Sequence, residues 1–133
     1  MDTSTTLIFI FSVLGILDTV YLSYHAIKKT PVACLFFPKE WCLKVQYSKQ
    51  SKTFGISNSF LGLIMYLLIL FLFWGHTNGL PFPLWWVQFL VGFGFLFSLY
   101  FTFVQAFILR AFCTWCVVSA INFTVLTVAV FIL

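Results

Sequence analysis

Four long apolar runs, separated by shorter polar segments, dominate the chain. They cover residues 5–27, 58–74, 85–109 and 117–133. Each run is long enough for an α-helix to cross the hydrocarbon core of a bilayer, which takes roughly 17–25 residues. The pattern therefore predicts an all-α membrane protein, a four-transmembrane-helix bundle in which residues 1–133 form a single domain.

The longest polar segment, residues 30–57, joins the first two runs. Pro31 and Pro38 argue against one continuous helix there, so we expect a loop across the mouth of the bundle with a short helix within residues 40–48. The glycines and proline of residues 75–81 predict a tight turn. Residues 110–112 form so short a link that the third and fourth helices must be adjacent and antiparallel.

The composition supports the membrane assignment. Hydrophobic residues make up 62% of the chain and charged residues only 8%, whereas a soluble domain carries about 25% charged residues. The chain has seven Lys and Arg residues and three Asp and Glu residues. The basic residues flank the apolar runs, where charge sets membrane topology. We therefore expect contact with the lipid bilayer and no nucleic-acid partner.

Four cysteines fall into two pairs. Cys34 and Cys42 lie in the long loop, while Cys113 and Cys116 open the fourth helix. The first helix leads to the loop, and the second and third helices cross the membrane away from that side and back. By this count, both pairs lie on the same face of the membrane.

The position of each pair suggests a redox relay. Cys113 lies at a helix start near Arg110, and both features favour the reactive thiolate. The loop pair is placed to meet a soluble dithiol, and the helix pair a membrane-soluble electron carrier. A quinone suits that role because it is apolar and accepts the two electrons that one dithiol gives. A four-thiolate zinc site and purely structural disulfides are the alternatives.

Three further polar side chains interrupt or end the apolar runs. Asp18 lies within the first run, where we expect a structural carboxyl with satisfied hydrogen bonds in preference to a role in proton transfer. His25 and His76 lie on opposite sides of the membrane without ligand spacing, so we expect neither to bind a metal.

Three motifs in this order resemble the vitamin K epoxide reductase family, and specifically a small stand-alone microbial homologue of archaeal type. They are the loop pair Cys34 and Cys42 with seven residues between, the segment Ser57-Asn58-Ser59-Phe60-Leu61-Gly62 with Tyr66, and Cys113-Thr114-Trp115-Cys116. The resemblance implies a four-helix bundle around a quinone, which could be a menaquinone, a ubiquinone or a vitamin K-like molecule.

The same resemblance implies a role for each cysteine. Cys34 would meet a thioredoxin-like thiol carrier, Cys42 would pass the exchange inward to Cys113, and Cys116 would lie beside the quinone ring. Ser48 and Asn58 match family residues at the quinone site. At Ala120, another position of that site, animal members have a tyrosine, which weakens the expectation of an epoxide reaction. We expect the thiol carrier to be a separate protein acting in trans, because no fused thioredoxin-like domain follows the fourth helix.

Together these features predict a thiol:quinone oxidoreductase that generates protein disulfides by passing electrons to the membrane quinone pool. The alternatives are a vitamin K quinone or epoxide reductase that uses the same thiols, and a zinc-stabilised membrane scaffold. All seven Lys and Arg lie on the cysteine side, so the positive-inside rule predicts a cytoplasmic cysteine face. The family resemblance favours an extracytoplasmic face.

Overall fold

The computed structural model describes residues 3–28, 37–46, 52–53 and 56–132. Within them lie five α-helices and one pair of two-residue strands: α1 Thr3–Lys28, α2 Lys39–Gln46, β1 Lys52–Thr53, β2 Ile56–Ser57, α3 Asn58–Thr77, α4 Leu84–Phe103 and α5 Thr114–Thr127. Helix α4 continues as a π-helical turn over Val104–Leu109, and α5 does so over Val128–Ile132.

The four long helices confirm the prediction of a membrane bundle. In the described part of the chain, four helices are long and apolar enough to cross a membrane, and these are α1, α3, α4 with its π-helical end, and α5 with its own. Large apolar side chains point outward from all of them; Leu17, Phe89, Leu96 and Phe107 are each more than 60% exposed. Such faces are stable only against lipid, so the protein is an integral membrane protein.

Two helix ends differ from the predictions. Helix α3 runs through Thr77, so the predicted turn at residues 75–81 begins only at Asn78. The Asn78 side-chain amide and the Thr77 hydroxyl both donate to the Trp74 carbonyl and close the last turn, and Gly79 takes a positive φ of 83°. Helix α5 begins at Thr114, three residues before the apolar run that predicted it.

The long loop contains the short helix that the sequence predicted. Helix α2 begins one residue before the predicted range, and it is followed by an antiparallel strand pair that the sequence did not suggest. Aromatic contacts hold α2 on the bundle: the rings of Phe37 and Trp41 lie 6.0 and 6.3 Å from that of Phe112, in the link before α5. The loop helix is therefore packed against the segment that carries Cys113.

Two stacked rings fill the centre of the bundle. Each of the four long helices packs on two neighbours, in the order α1, α3, α4, α5 around the bundle. Tyr66 of α3 stacks on Phe123 of α5 at 4.7 Å. Gly15 of α1 lies against the Tyr66 ring and Gly94 of α4 against the Phe123 ring, and a Cβ atom at either glycine would collide with the ring. All four helices thus meet at one layer of rings, and the close approach of α1 and α4 to these rings requires glycine at positions 15 and 94.

Candidate functional site at the cysteine end of the bundle

Three of the four cysteines lie together. Cys42 and Cys113 are almost fully buried in one cluster, with Val45 and Ala111, and Cys116 packs on it. Cys42 is disulfide-bonded, while Cys113 and Cys116 are free thiols. The prediction that both pairs share one membrane face is therefore confirmed for Cys42, Cys113 and Cys116, and Cys34 lies outside the described residues.

The end of α4 positions Cys113. The π-helical turn brings the Gln105 side chain inward, where its Oε1 accepts a hydrogen bond of 2.9 Å from the Cys113 backbone N–H. Arg110 follows in a left-handed conformation, with φ of 53°, and turns the chain back so that the Ala111 N–H donates to the Gln105 carbonyl. Cys113 then stands in extended backbone as the N-cap residue of α5. π-Helical turns are frequent at functional sites.

The surroundings of Cys113 favour its thiolate. A hydrogen bond from the Cys116 side chain lowers the pKa of Cys113 to about 7; burial opposes the shift, and the backbone N–H groups of Cys116 and Trp115 add to it. These amides belong to the first turn of α5, where backbone N–H groups have no carbonyl partner within the helix and can bond to the Cys113 sulfur. Arg110, which the sequence suggested as a source of the shift, is exposed and is not among its main causes.

A cavity of about 440 Å³ lies beside Cys116. It is enclosed by α1, α3, α4 and α5, and its walls are mainly apolar, with Leu61, Met65, Phe93, Phe97, Phe101 and Phe123 among them. Asn58 and Ser119 add polar groups to the lining. The exposed Ile64 and Phe93, which also line the cavity, bring it to the outer surface of the bundle. An apolar slot with a few polar groups and an opening toward lipid fits a quinone.

Two of the four predicted cofactor-binding residues line this cavity. Cys116 and Asn58 line it. Ala120 does not line it, because the adjacent Ser119 holds the inward position on α5. Ser48 lies outside the described residues.

The expectation of a satisfied carboxyl at Asp18 is wrong. The side chain is only 4% exposed, as expected, but within the described part of the chain neither carboxyl oxygen has a hydrogen-bond partner. Asp18 is close enough to Cys113, Cys116 and Tyr66 for their charges to interact. The acid therefore belongs to the surroundings of the thiol pair.

The comparison with protein families agrees with this geometry. The model of the vitamin K epoxide reductase family matches residues 6–131, nearly the whole chain. The chain belongs to the vitamin K epoxide reductase family. No individually curated protein matches it significantly. Membership in the vitamin K epoxide reductase family supports an oxidoreductase function of the general thiol–disulfide and quinone type.

Two residues of this site were not singled out from the sequence. Gln105 is a polar residue within the third apolar run. A polar side chain inside a membrane helix is itself a signal of function, and this signal could have identified Gln105. Ser119 bonds the Tyr66 hydroxyl at 2.9 Å and faces the cavity. A serine carries no such signal, because its hydroxyl can bond within its own helix.

Proposed function

We propose that the protein is a thiol:quinone oxidoreductase that generates protein disulfides. One observation carries the proposal: a disulfide-bonded Cys42 and the free thiols of Cys113 and Cys116 lie together beside an apolar cavity that Cys116 lines. A two-electron thiol relay that ends at an apolar acceptor needs these parts in this order.

The proposed path runs inward through the four cysteines. A reduced thioredoxin-like carrier, acting in trans, gives two electrons to the Cys34 and Cys42 pair. Cys42 then exchanges with Cys113, which leaves Cys113 and Cys116 as thiols. A bound quinone supplies the two-electron acceptor for that inner pair. A disulfide-bonded Cys42 with free Cys113 and Cys116 corresponds to the moment at which the electrons have reached the inner pair.

The residues around the cavity have separate proposed roles. Asn58 lines the cavity, and the family resemblance assigns its side chain a hydrogen bond to a quinone oxygen and adds Ser48 at the same site. Gln105 holds the backbone of Cys113 so that its sulfur stays beside that of Cys116. Ala120 lacks the hydroxyl of the tyrosine that animal members have at this position, so we do not extend the proposal to epoxide reduction.

The relay is tested with Cys116→Ala. Purified protein is mixed with a reduced thioredoxin-like protein and a short-chain naphthoquinone, and quinone absorbance and thiol content are followed together. We expect quinone reduction to fall to background and a disulfide between Cys42 and Cys113, or between the enzyme and its partner, to accumulate. The matched control is Thr124→Ala, an exposed site farther along α5, which should keep wild-type turnover. Unchanged turnover in Cys116→Ala would refute its proposed role.

Two alternatives give different results in the same preparation. A vitamin K quinone or epoxide reductase would reduce its substrate with these thiols without oxidising a protein partner at a matching rate. A zinc-stabilised scaffold would contain stoichiometric zinc. The disulfide at Cys42 counts against a four-thiolate site, because a zinc ligand must be a thiolate.

A further inference from the structure

Asp18 is a buried acid that the proposed electron path does not use. It lies in the membrane-spanning part of α1 at 4% exposure, and its carboxyl oxygens have no hydrogen-bond partner among the described residues. Such a group is costly to keep charged in a membrane interior. A neutral side chain of similar size would fill the same space at lower cost, so packing alone does not explain an acid here.

The neighbours of Asp18 are the reacting groups. Among the described residues, the titratable groups whose charges interact with Asp18 are Tyr66 and the two thiols Cys113 and Cys116. The neighbours of Asp18 on α1 place it in the same region: Gly15, about one turn earlier, lies against the Tyr66 ring, and Thr19 lines the same cavity as Cys116. These titratable groups lie in one buried region, so the ionisation of each one changes the electrostatic potential at the others. Groups that interact this closely take up and release protons as a unit.

We propose that Asp18 is the proton carrier of the Cys113 and Cys116 pair. The inference rests on the proposed function, since it concerns the protons that accompany the two electrons of that reaction. Oxidation of the pair breaks two S–H bonds, forms one S–S bond, and releases two electrons and two protons. Both electrons and both protons end on the quinone, which leaves as the quinol. The Asp18 carboxylate binds one of those protons as it leaves a thiol and is regenerated when it gives the proton up.

A pair of hydroxyl groups leads from this region to the cavity. Tyr66 is fully buried, its charge interacts with that of Asp18, and its hydroxyl shares a hydrogen bond of 2.9 Å with the Ser119 hydroxyl. Ser119 lines the cavity, next to Cys116. Hydroxyl groups both donate and accept hydrogen bonds, so this pair can pass a proton to the cavity once the Asp18 carboxyl, which makes no hydrogen bond among the described residues, comes into contact with the Tyr66 hydroxyl. We assign the return of the proton to Tyr66 and Ser119.

The chain offers a direct measurement that leaves Asp18 intact. Its only aspartates are Asp2 and Asp18, so Asp2→Asn protein grown with carboxyl-labelled aspartate reports on Asp18 alone. Infrared spectra of the quinone-free protein are compared between the dithiol state and the disulfide state of Cys113 and Cys116, across about pH 5 to 9. We expect the protonated fraction of Asp18 to change with the redox state of the pair. Identical carboxyl spectra in the two states at every pH would overturn the inference.

Variants test the same coupling from the thiol side. In quinone-free protein with Cys34 and Cys42 replaced by Ser, Asp18→Asn removes a like charge next to the Cys113 thiolate. Alkylation of Cys113 at one pH unit below the wild-type midpoint should become about five- to tenfold faster. Glu40→Gln, which removes the exposed acid of α2, is the matched control and should leave the profile unchanged. Superimposable profiles for Asp18→Asn and wild type would contradict the proposal.

A third measurement separates this inference from the proposed function. With a short-chain naphthoquinone, Asp18→Asn and Tyr66→Phe should each slow oxidation of the inner dithiol about tenfold or more, the scale of general acid–base catalysis. Tyr66→Phe should leave the quinone-free alkylation profile in place, since Asp18 remains. If wild-type protein does not react with the quinone, the proposed function fails, and the two quinone-free measurements still decide the role of Asp18. Full quinone reactivity in both variants would overturn the inference alone.

Discussion

At the residue scale, the reactivity of Cys113 depends on two groups that are far apart in the sequence. Cys116 donates to its sulfur, and Gln105 accepts from its backbone N–H. The first contact is compatible with the C-x-x-C spacing at a helix start, but the sequence pointed to the helix start and Arg110 as the sources of the thiolate and not to Cys116. The second depends on a π-helical turn that shifts one residue of α4 inward, and no spacing rule marks such a turn.

The Cys116 hydrogen bond gives a prediction for pH dependence. Because that bond is the largest cause of the lowered pKa of Cys113, Cys116→Ala should raise this pKa from about 7 toward the ordinary thiol value. The thiolate fraction, and with it the alkylation rate at pH 7, should therefore fall. The measurement is the rate of Cys113 alkylation against pH in protein without Cys34 and Cys42. A midpoint that stays in place or moves to lower pH would show that another group stabilises the thiolate.

Gln105 gives a prediction for positioning. Gln105→Leu leaves the Cys113 N–H buried without an acceptor, at a cost of about 1–3 kcal/mol in the free energy of unfolding. We expect a lower unfolding midpoint in detergent and slower disulfide exchange between Cys42 and Cys113. Gln88→Leu, a partly buried position on the same helix at the opposite membrane side, is the control. Equal losses of exchange in the two variants would argue that Gln105 has no special role.

At the element scale, hydrophobic pattern and length located all four membrane helices, because the bilayer demands long apolar runs and little else. Their ends were less predictable. Helix α3 keeps Gly75 and His76 in its last turn because side chains of Thr77 and Asn78 bond the Trp74 carbonyl. The contacts between helices were not predictable, since the pairing of Gly15 with Tyr66 joins residues that are distant in sequence.

The ring layer gives a prediction for packing. A Cβ atom at Gly94 would collide with the Phe123 ring, whereas one at Gly92, on the same helix, would make ordinary contact with Phe131 at 3.7 Å. Gly94→Ala should therefore destabilise the bundle by about 1–3 kcal/mol, and Gly92→Ala should change stability little. Unfolding in detergent mixtures compares the two. Similar midpoints for both variants would mean that the ring layer relaxes without cost.

At the scale of the whole molecule, the Lys and Arg side chains among the described residues are confined to one end. Lys28, Lys39, Lys44 and Arg110 are exposed at the end that carries the cysteines. We propose that this end faces the cytoplasm, so that a cytoplasmic thiol protein is the electron donor. The alternative, an extracytoplasmic cysteine face, follows from the family resemblance and not from charge.

Orientation is tested with single cysteines in a cysteine-free background. Lys44→Cys, on α2, reports the charged end, and Asn78→Cys, in the exposed turn after α3, reports the opposite end. With a membrane-impermeant maleimide on intact cells, we expect label at position 78 alone, and label at position 44 only after permeabilisation. The reverse pattern would establish the extracytoplasmic orientation.

The ring layer of Tyr66 and Phe123 also has an electrical consequence. On its far side, away from the cysteines, the core next to the layer is filled by hydrocarbon side chains such as Ile69, Val87 and Leu126, and a second cavity lies farther along, beside Phe73 and His76. Electrons and protons for the proposed reaction then enter from the cysteine end only, and neither crosses the layer. In the proposed reaction, turnover would then move no net charge across the bilayer. Its driving force would be the difference in reduction potential between thiols and quinone, independent of the membrane voltage.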